Sequence, residues 1–228
     1  MSECRSYNLL DKPWIPVEWL GSSKRDEPKV GIFRALREAQ NIRCISHTAP
    51  FIEFGLYRLL ITIVLDAYII AGQRPTIGKM RTMLDKGHFD DSIFDGYLHH
   101  YKARFDLWAS DGVPFLQYRF TGEDCKKRDI KTIVRMFPAI PSGTNVAHWN
   151  HFTEDETRIS EEVAAQFLTT VSPWNFKTKP EEARTLAGDP PMYALVLGKS
   201  LFETIVLNLP RASGRVTVRQ EMDNGPAW

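Results

Sequence analysis

His148 and His151, with Glu154, Asp155 and Glu156 close behind, are the residues in this chain best suited by type to hold a zinc or iron ion. Such a centre would activate water, and the chain would then be a metal-dependent hydrolase built on His148 and His151. The spacing argues against it. Dedicated helical sites place two histidines four residues apart on one face, whereas these two stand three apart with Trp149 between them. The surrounding stretch from Pro138 to Thr153 carries two prolines, a glycine and two asparagines, the composition of a loop. The expectation is that these are polar loop residues, with no metal, no cofactor and no catalytic residue.

Other chemistries have less support. No G-x-S-x-G is present, and Ser213-Gly214 lacks the preceding glycine of a nucleophile elbow. Cys44 and His47 are neighbours in sequence, but a cysteine–histidine pair is assembled by the fold, so adjacency alone says little. Neither G-x-x-x-x-G-K-[ST] nor G-x-G-x-x-G occurs, which leaves nucleotide binding without a motif.

A different chemistry is carried by charge. Between Arg119 and Arg135 lie six bases (Arg119, Lys126, Lys127, Arg128, Lys131 and Arg135) against three acids (Glu123, Asp124 and Asp129). The run Ser142-Gly143-Thr144-Asn145-Val146-Ala147-His148-Trp149-Asn150-His151 follows, adding amides, imidazoles and an indole. Lys and Arg hold phosphates, and bases stack on aromatic or imidazole rings, so the combination suits nucleic acid. The plainer readings, a solvated charged face and a plain helical protein-interaction module with no nucleic-acid role, stay open at this point. Arg211, Arg215 and Arg219 form a second basic group without aromatic support.

The whole chain is not basic. Its 228 residues hold 29 Lys and Arg against 28 Asp and Glu, a net charge of +1. A stand-alone nucleic-acid binder usually has a clear basic excess, because phosphate neutralisation supplies most of its affinity. Any contact with nucleic acid is therefore expected through a local patch or beside a more basic partner. Apolar residues at 43% and charged residues at 25% are those of a globular protein with a sizeable core. Cys4, Cys44 and Cys125 form neither a CxxC pair nor a disulfide framework, which suits a reducing cytoplasm. Asp11, Lys12, Pro13 and Pro16 interrupt the place where a signal peptide would have its apolar core, and the apolar stretch from Leu59 to Ala71 contains Asp66. A cytoplasmic location without membrane association is expected.

The elements that must position these residues read as a helix-rich α+β domain with short strands or hairpins and a long exposed loop from about Pro138 to Glu156. Prolines 13 and 16 enforce extended pieces near the start, and Val30 to Phe33 is expected to return as the second strand of a hairpin. A short helix is predicted from Phe33 to Ala39. Apolar residues at spacings of three and four from Ile52 to Ala71 predict a long central helix, stopped at Gly72. Further helices are expected over Thr76 to Leu84, from Asp90 or Asp91 toward Trp108, from Ser160 to about Thr170, and from Ser200 through Leu209. Phe89, Phe94, Tyr97, Tyr101, Phe105 and Trp108 form an aromatic stripe expected in the core or at a subunit interface. Pro114 to Tyr118 is read as strand-like, and Met192 to Leu197 as a buried strand.

Several of these stretches, taken in order, resemble the large subunit of type I-E CRISPR Cascade, the Cse1, CasA or Cas8e family. Tyr7-Asn8-Leu9-Leu10, a short gap and Trp14-Ile15-Pro16-Val17 look like its N-terminal signature. Pro114-Phe115-Leu116-Gln117, Ser142-Gly143-Thr144-Asn145, the block from Gly188-Asp189-Pro190-Pro191 to Leu207-Asn208-Leu209-Pro210, and Pro226-Ala227-Trp228 are similar to later family segments. The resemblance implies that residues 1–228 correspond to the N-terminal domain, or most of it, with the family's C-terminal four-helix bundle absent. It implies a non-catalytic subunit of an RNA-guided antiviral complex, in which RNA–DNA pairing reads sequence and protein reads a short adjacent motif. The implied partners are CRISPR RNA, target double-stranded DNA, Cas5, Cas7 and Cse2-type subunits, and the helicase-nuclease Cas3. By the same resemblance, Asn145, His148 and Trp149 would contact RNA or a neighbouring subunit, beside Lys126, Lys127 and Arg128. Where some members carry a glycine-rich stretch this chain has Phe176-Lys177-Thr178-Lys179-Pro180-Glu181, in which Lys177 and Lys179 would meet phosphate.

Overall fold

A computed structural model describes residues 5–21, 27–108, 112–117, 159–174 and 193–210. The expected α+β class holds: a three-stranded antiparallel sheet, ordered β2-β1-β3, lies with a set of helices around one core. Strand β1 (Ile15–Trp19) pairs with β2 (Lys29–Val30) through Ile15↔Val30 and with β3 (Ile42–Ile45) through Val17↔Ile45. Pro16 is tolerated in this central strand because the β1–β3 ladder begins one residue later. The hairpin was legible in the sequence, but its second strand ends at Val30, and helix α1 (Ile32–Arg37) starts almost at once. Strand β3 was not anticipated: its four residues, Ile-Arg-Cys-Ile, alternate too weakly to signal a strand without β1 beside them.

Helix α2 (Pro50–Ile70) is the long central helix that the periodicity predicts. It is buried along most of its length, from Ile52 to Tyr68, because four elements pack on it: β3, α4 (Asp91–His100), α5 (Glu161–Trp174) and α6 (Leu201–Leu207). Gly55 marks the closest approach to α5. A Cβ there would stand 2.6 Å from Thr169 Oγ1 and 3.0 Å from the Thr169 carbonyl oxygen. Gly72, at φ +72°, ends the helix as expected. Helix α3 (Ile77–Lys86) starts at Thr76, whose hydroxyl oxygen accepts from Lys79 N, and stops at left-handed Gly87. Asp90 caps α4 by accepting from Ser92 N.

Three expectations need correction. The helix projected from Asp90 toward Trp108 breaks at Tyr101 into a 3-10 turn (Lys102–Phe105), because Asp106 leaves the helix to bridge Asn8 in extended geometry. Within Pro114 to Gln117 the chain makes a turn and not a strand. Leu116 takes a positive φ of 52°, and Phe115 is fully buried against Trp14 and Phe105. Tyr193 to Leu197 is extended but neither sheet-paired nor buried, with Val196 58% and Leu197 67% exposed. Its hydrogen-bonding partner is a side chain: Asn208 Oδ1 accepts from Val196 N at 3.0 Å and Asn208 Nδ2 donates to Val196 O at 2.7 Å. Tyr118 and Met192 lie outside the described residues.

The N-terminal signature proves to be core. Leu9, Leu10, Trp14, Ile15 and Val17 are all buried. Trp14 Nε1 donates to Leu9 O at 2.9 Å, and Gln166 of α5 donates to Trp14 O at 2.7 Å, so the segment knits early and late parts of the described chain together. Phe89, Phe94, Tyr97 and Phe105 of the aromatic stripe are buried as expected, whereas Trp108 is 42% exposed under the guanidinium of Arg5.

Candidate functional site

Asn145, His148, Trp149, Lys126, Lys127, Arg128, Lys177 and Lys179 all lie outside the described residues, as do His151 and the loop from Pro138 to Glu156. What is on view is the platform from which these segments leave. Gln117, the last described residue before the basic run, donates its side-chain amide to Leu107 O at 3.0 Å. Glu161, at the other end of residues 118–158, forms an ion pair with Arg5. The Arg5 guanidinium in turn sits 4.3 Å from the ring centre of Trp108. Gln117 and Glu161, on either side of residues 118–158, thus both make contacts at one corner of the fold.

Asp106 organises that corner. One carboxylate oxygen accepts from Trp108 N at 2.7 Å and Tyr7 N at 3.3 Å; the other accepts from Ser6 Oγ. Its carbonyl accepts from Phe115 N at 2.9 Å, which sets the turn before Gln117. Asn8 adds a second brace by donating to Lys102 O at 3.0 Å while its own Oδ1 accepts from Leu10 N. The electrostatics agree with a corner built from charge pairs. Glu161 is held below the usual carboxylate range, first by its own backbone N–H and then by Arg5. Tyr7 is pushed up by burial and by the nearby Glu162 and Glu161. Sequence reading missed Arg5, Ser6 and Asp106 because the contacts that join them, Arg5 with Glu161 and Trp108 and Asp106 with Ser6 and Tyr7, span about a hundred residues or more.

A second feature lies at the end of α2. The end of that helix, α3 and the start of α4 enclose a groove of about 490 Å³. Lys79 and Lys86 line it together with Asp90 and Asp91, and the buried Tyr68 and Phe89 line it as well. Asp90 is held below its ordinary value chiefly by hydrogen bonding from Ser92, which fits a capping carboxylate.

Among the described residues the groups suited to covalent chemistry are quiet. The Cys44 thiol stands 3.7 Å from a Glu18 carboxylate oxygen, and burial followed by that negative charge pushes its pKa up, away from a reactive thiolate. His47 accepts from Ala49 N through Nδ1 and so shapes the turn into α2. Glu53 is raised mainly by burial. Among the described residues no three of His, Cys, Asp and Glu gather as a metal site would need. None of the described helices is long and apolar enough to cross a membrane.

Comparison with known proteins adds an independent line. The family model for the CRISPR-associated protein Cse1 matches residues 8–228. The CRISPR-associated protein CasA/Cse1 of Thermus thermophilus is 29% identical over all of this chain, which spans 43% of that relative's length. The crystal structure of Thermobifida fusca Cse1 superposes with a TM-score of 0.67 at 25% identity, covering 90% of this chain and 39% of the other. A chain of a CRISPR RNA-guided surveillance complex has the same fold, with a TM-score of 0.64 at 20% identity over 91% of this chain and 44% of its own.

Proposed function

This chain belongs to the CRISPR-associated protein Cse1 family, and from that premise we propose that it is a non-catalytic subunit of a Cascade-type, RNA-guided surveillance complex in the cytoplasm. The observation that carries the reading is the family match over residues 8–228. The shared fold with a chain of a CRISPR RNA-guided surveillance complex supports it. In this reading residues 1–228 act as the N-terminal domain of a large subunit. They dock on CRISPR RNA and on Cas5, Cas7 and Cse2-type subunits, contribute to reading the motif next to the target in duplex DNA, and help recruit Cas3. RNA–DNA pairing supplies sequence recognition, which leaves the protein to hold backbones and a short motif.

The chemistry of the described residues is consistent with a docking role. The near-neutral charge suits a subunit that works beside basic partners. Gln117 and Glu161, described residues that flank positions 118–158, both make contacts near the Asp106 corner, and in this reading Lys126, Lys127, Arg128, Asn145, His148 and Trp149 work from beside it. Lys177 and Lys179 would reach phosphate from the segment after α5.

Co-expression with the other subunits and a CRISPR RNA tests the proposal. The chain is expected to co-purify in a ribonucleoprotein of defined stoichiometry; remaining free with every partner present would refute it. Metal analysis of the purified chain addresses the competing hydrolase reading. Stoichiometric zinc, iron or manganese that disappears in His148→Ala would favour that enzyme instead.

A further inference from the structure

The exposed segment Tyr193–Leu197 is held extended from one side by side chains of the helix that follows it. Asn208, at the end of α6, accepts from Val196 N at 3.0 Å and donates to Val196 O at 2.7 Å, as a neighbouring strand would. The same amide donates to Thr204 O at 2.7 Å, which fixes it to its own helix. Thr204 Oγ1 accepts from Gly198 N at 3.0 Å, and Glu203 Oε2 accepts from Lys199 N at 2.7 Å. Gly198 permits this approach, because a Cβ there would overlap Glu203 Cβ and stand 2.9 Å from Thr204 N. In an extended chain successive residues aim their N–H and C=O to opposite sides. Val196 and Gly198 turn toward α6, so Leu195 and Leu197 turn away from it. The backbone groups of Leu195 and Leu197 have no hydrogen-bond partner among the described residues. Tyr193 stacks on Phe54 with ring centres 4.4 Å apart and Leu195 packs against the core, whereas Val196 and Leu197 are exposed.

We propose that the outer edge of Tyr193–Leu197 is a seat for one extended strand of a neighbouring protein subunit, added by β-pairing. The proposal deepens, and rests on, the reading of the chain as a subunit of a multi-protein complex. An open row of backbone donors and acceptors selects an extended polypeptide. No charged side chain stands between Tyr193 and Gly198, so the phosphates of a nucleic acid find no cation along this edge. The incoming strand would set apolar residues, β-branched or aromatic, against Val196 and Leu197. A second copy of this chain fits less well. Five residues of strand span about 17 Å, too short to bury the roughly 800 Å² per partner of a stable stand-alone interface. A strand from a subunit already held by other contacts needs no such area, because the assembly raises its effective concentration. The α6 side chains order the edge before that strand arrives, which lowers the entropy lost on pairing.

Hydrogen exchange resolved to single amides, compared between the isolated chain and the assembled complex, tests the seat. Assembly is expected to slow the Leu195 and Leu197 amides by about tenfold or more and to leave Ala194 and Val196 nearly unchanged. Leu197→Pro, which removes an outward N–H, should weaken retention of the chain in the complex, and Leu197→Ala, which keeps it, should weaken retention less. Thermal melts establish that each variant folds, and the exchange pattern decides without them. Equal exchange at Leu195 and Leu197 in the free and assembled chain would overturn the proposal. So would slowing spread evenly from Ala194 to Leu197, which marks simple burial under a partner. Slowing already present in the isolated chain also overturns it: sedimentation as a dimer would make the occupant a second copy, and sedimentation as a monomer would place it within the chain. Should the chain join no complex with every subunit present, the parent reading fails separately. An end-capped peptide of alternating valine and threonine is then offered to the isolated chain. Slowing confined to Leu195 and Leu197 sustains the edge as a strand seat, and no slowing removes it.

Discussion

Tyr97 on α4 donates its phenolic hydrogen to Asp66 in the middle of α2 at 2.6 Å, with Tyr97 4% and Asp66 7% exposed. The residue that interrupts the most apolar stretch of the sequence is thus the point where a second helix locks onto the central one. Removing the donor strips a buried carboxylate of a short hydrogen bond, a loss of about 1–3 kcal/mol. Tyr97→Phe should lower the midpoint of denaturant unfolding by a corresponding amount with an unchanged slope. A shift within error would show that the pair adds little to stability.

Gly55 is set against the backbone of Thr169, and the competing terms can be weighed. Alanine is intrinsically better in a helix by about 1 kcal/mol. Against this, the new Cβ would meet Thr169 Oγ1 at 2.6 Å and the Thr169 carbonyl oxygen at 3.0 Å. Overpacking of this kind costs about 1–3 kcal/mol, and a backbone atom cannot swing aside as a side chain does. Gly55→Ala is expected to destabilise, and adding Thr169→Ser should not restore the loss. A Gly55→Ala protein as stable as the parent would place α5 farther from α2.

Tyr57 predicts alkaline sensitivity. Its hydroxyl oxygen accepts from Ile45 N at 3.0 Å, and burial pushes its pKa up from 10.0 to about 12. Because the folded value lies above the unfolded one, the stabilisation is complete below pH 10 and declines as pH rises toward about 12. The loss over that window is about 2–3 kcal/mol. Stability measured from pH 9 to 12 should fall, and Tyr57→Phe should flatten that fall while lowering stability at neutral pH by leaving the Ile45 amide without its partner. An unaltered alkaline profile in Tyr57→Phe would assign the sensitivity elsewhere.

The basic run carries the prediction closest to function. Replacing Lys126, Lys127 and Arg128 with glutamate should leave the thermal melt of the chain unchanged within about 0.5 kcal/mol, as surface substitutions usually do. Retention of the chain in the ribonucleoprotein should weaken tenfold or more, with a steeper effect at low salt. Equal retention of the triple variant and the parent at every salt concentration would return this run to an ordinary solvated face.

Features that depend on a few consecutive residues were readable from the chain alone. The three- and four-residue periodicity of α2, the Asp90 and Ser160 caps, the helix starts near Thr76 and Ser200, and the Gly72 stop are all local hydrogen-bonding arithmetic. The family, too, was legible, because its signature residues Leu9, Leu10, Trp14 and Ile15 are core positions whose types are dictated by burial. Only the tertiary structure decided which short extended pieces become strands. Ile42–Ile45 found β1 beside it, whereas Tyr193–Leu197 found only the side chain of Asn208. It also decided that Asp106 would abandon the helix and that Asp66 would be buried against Tyr97. In each case the deciding partner is distant in the chain or set by how helices pack, and packing of the whole core is something no local pattern encodes.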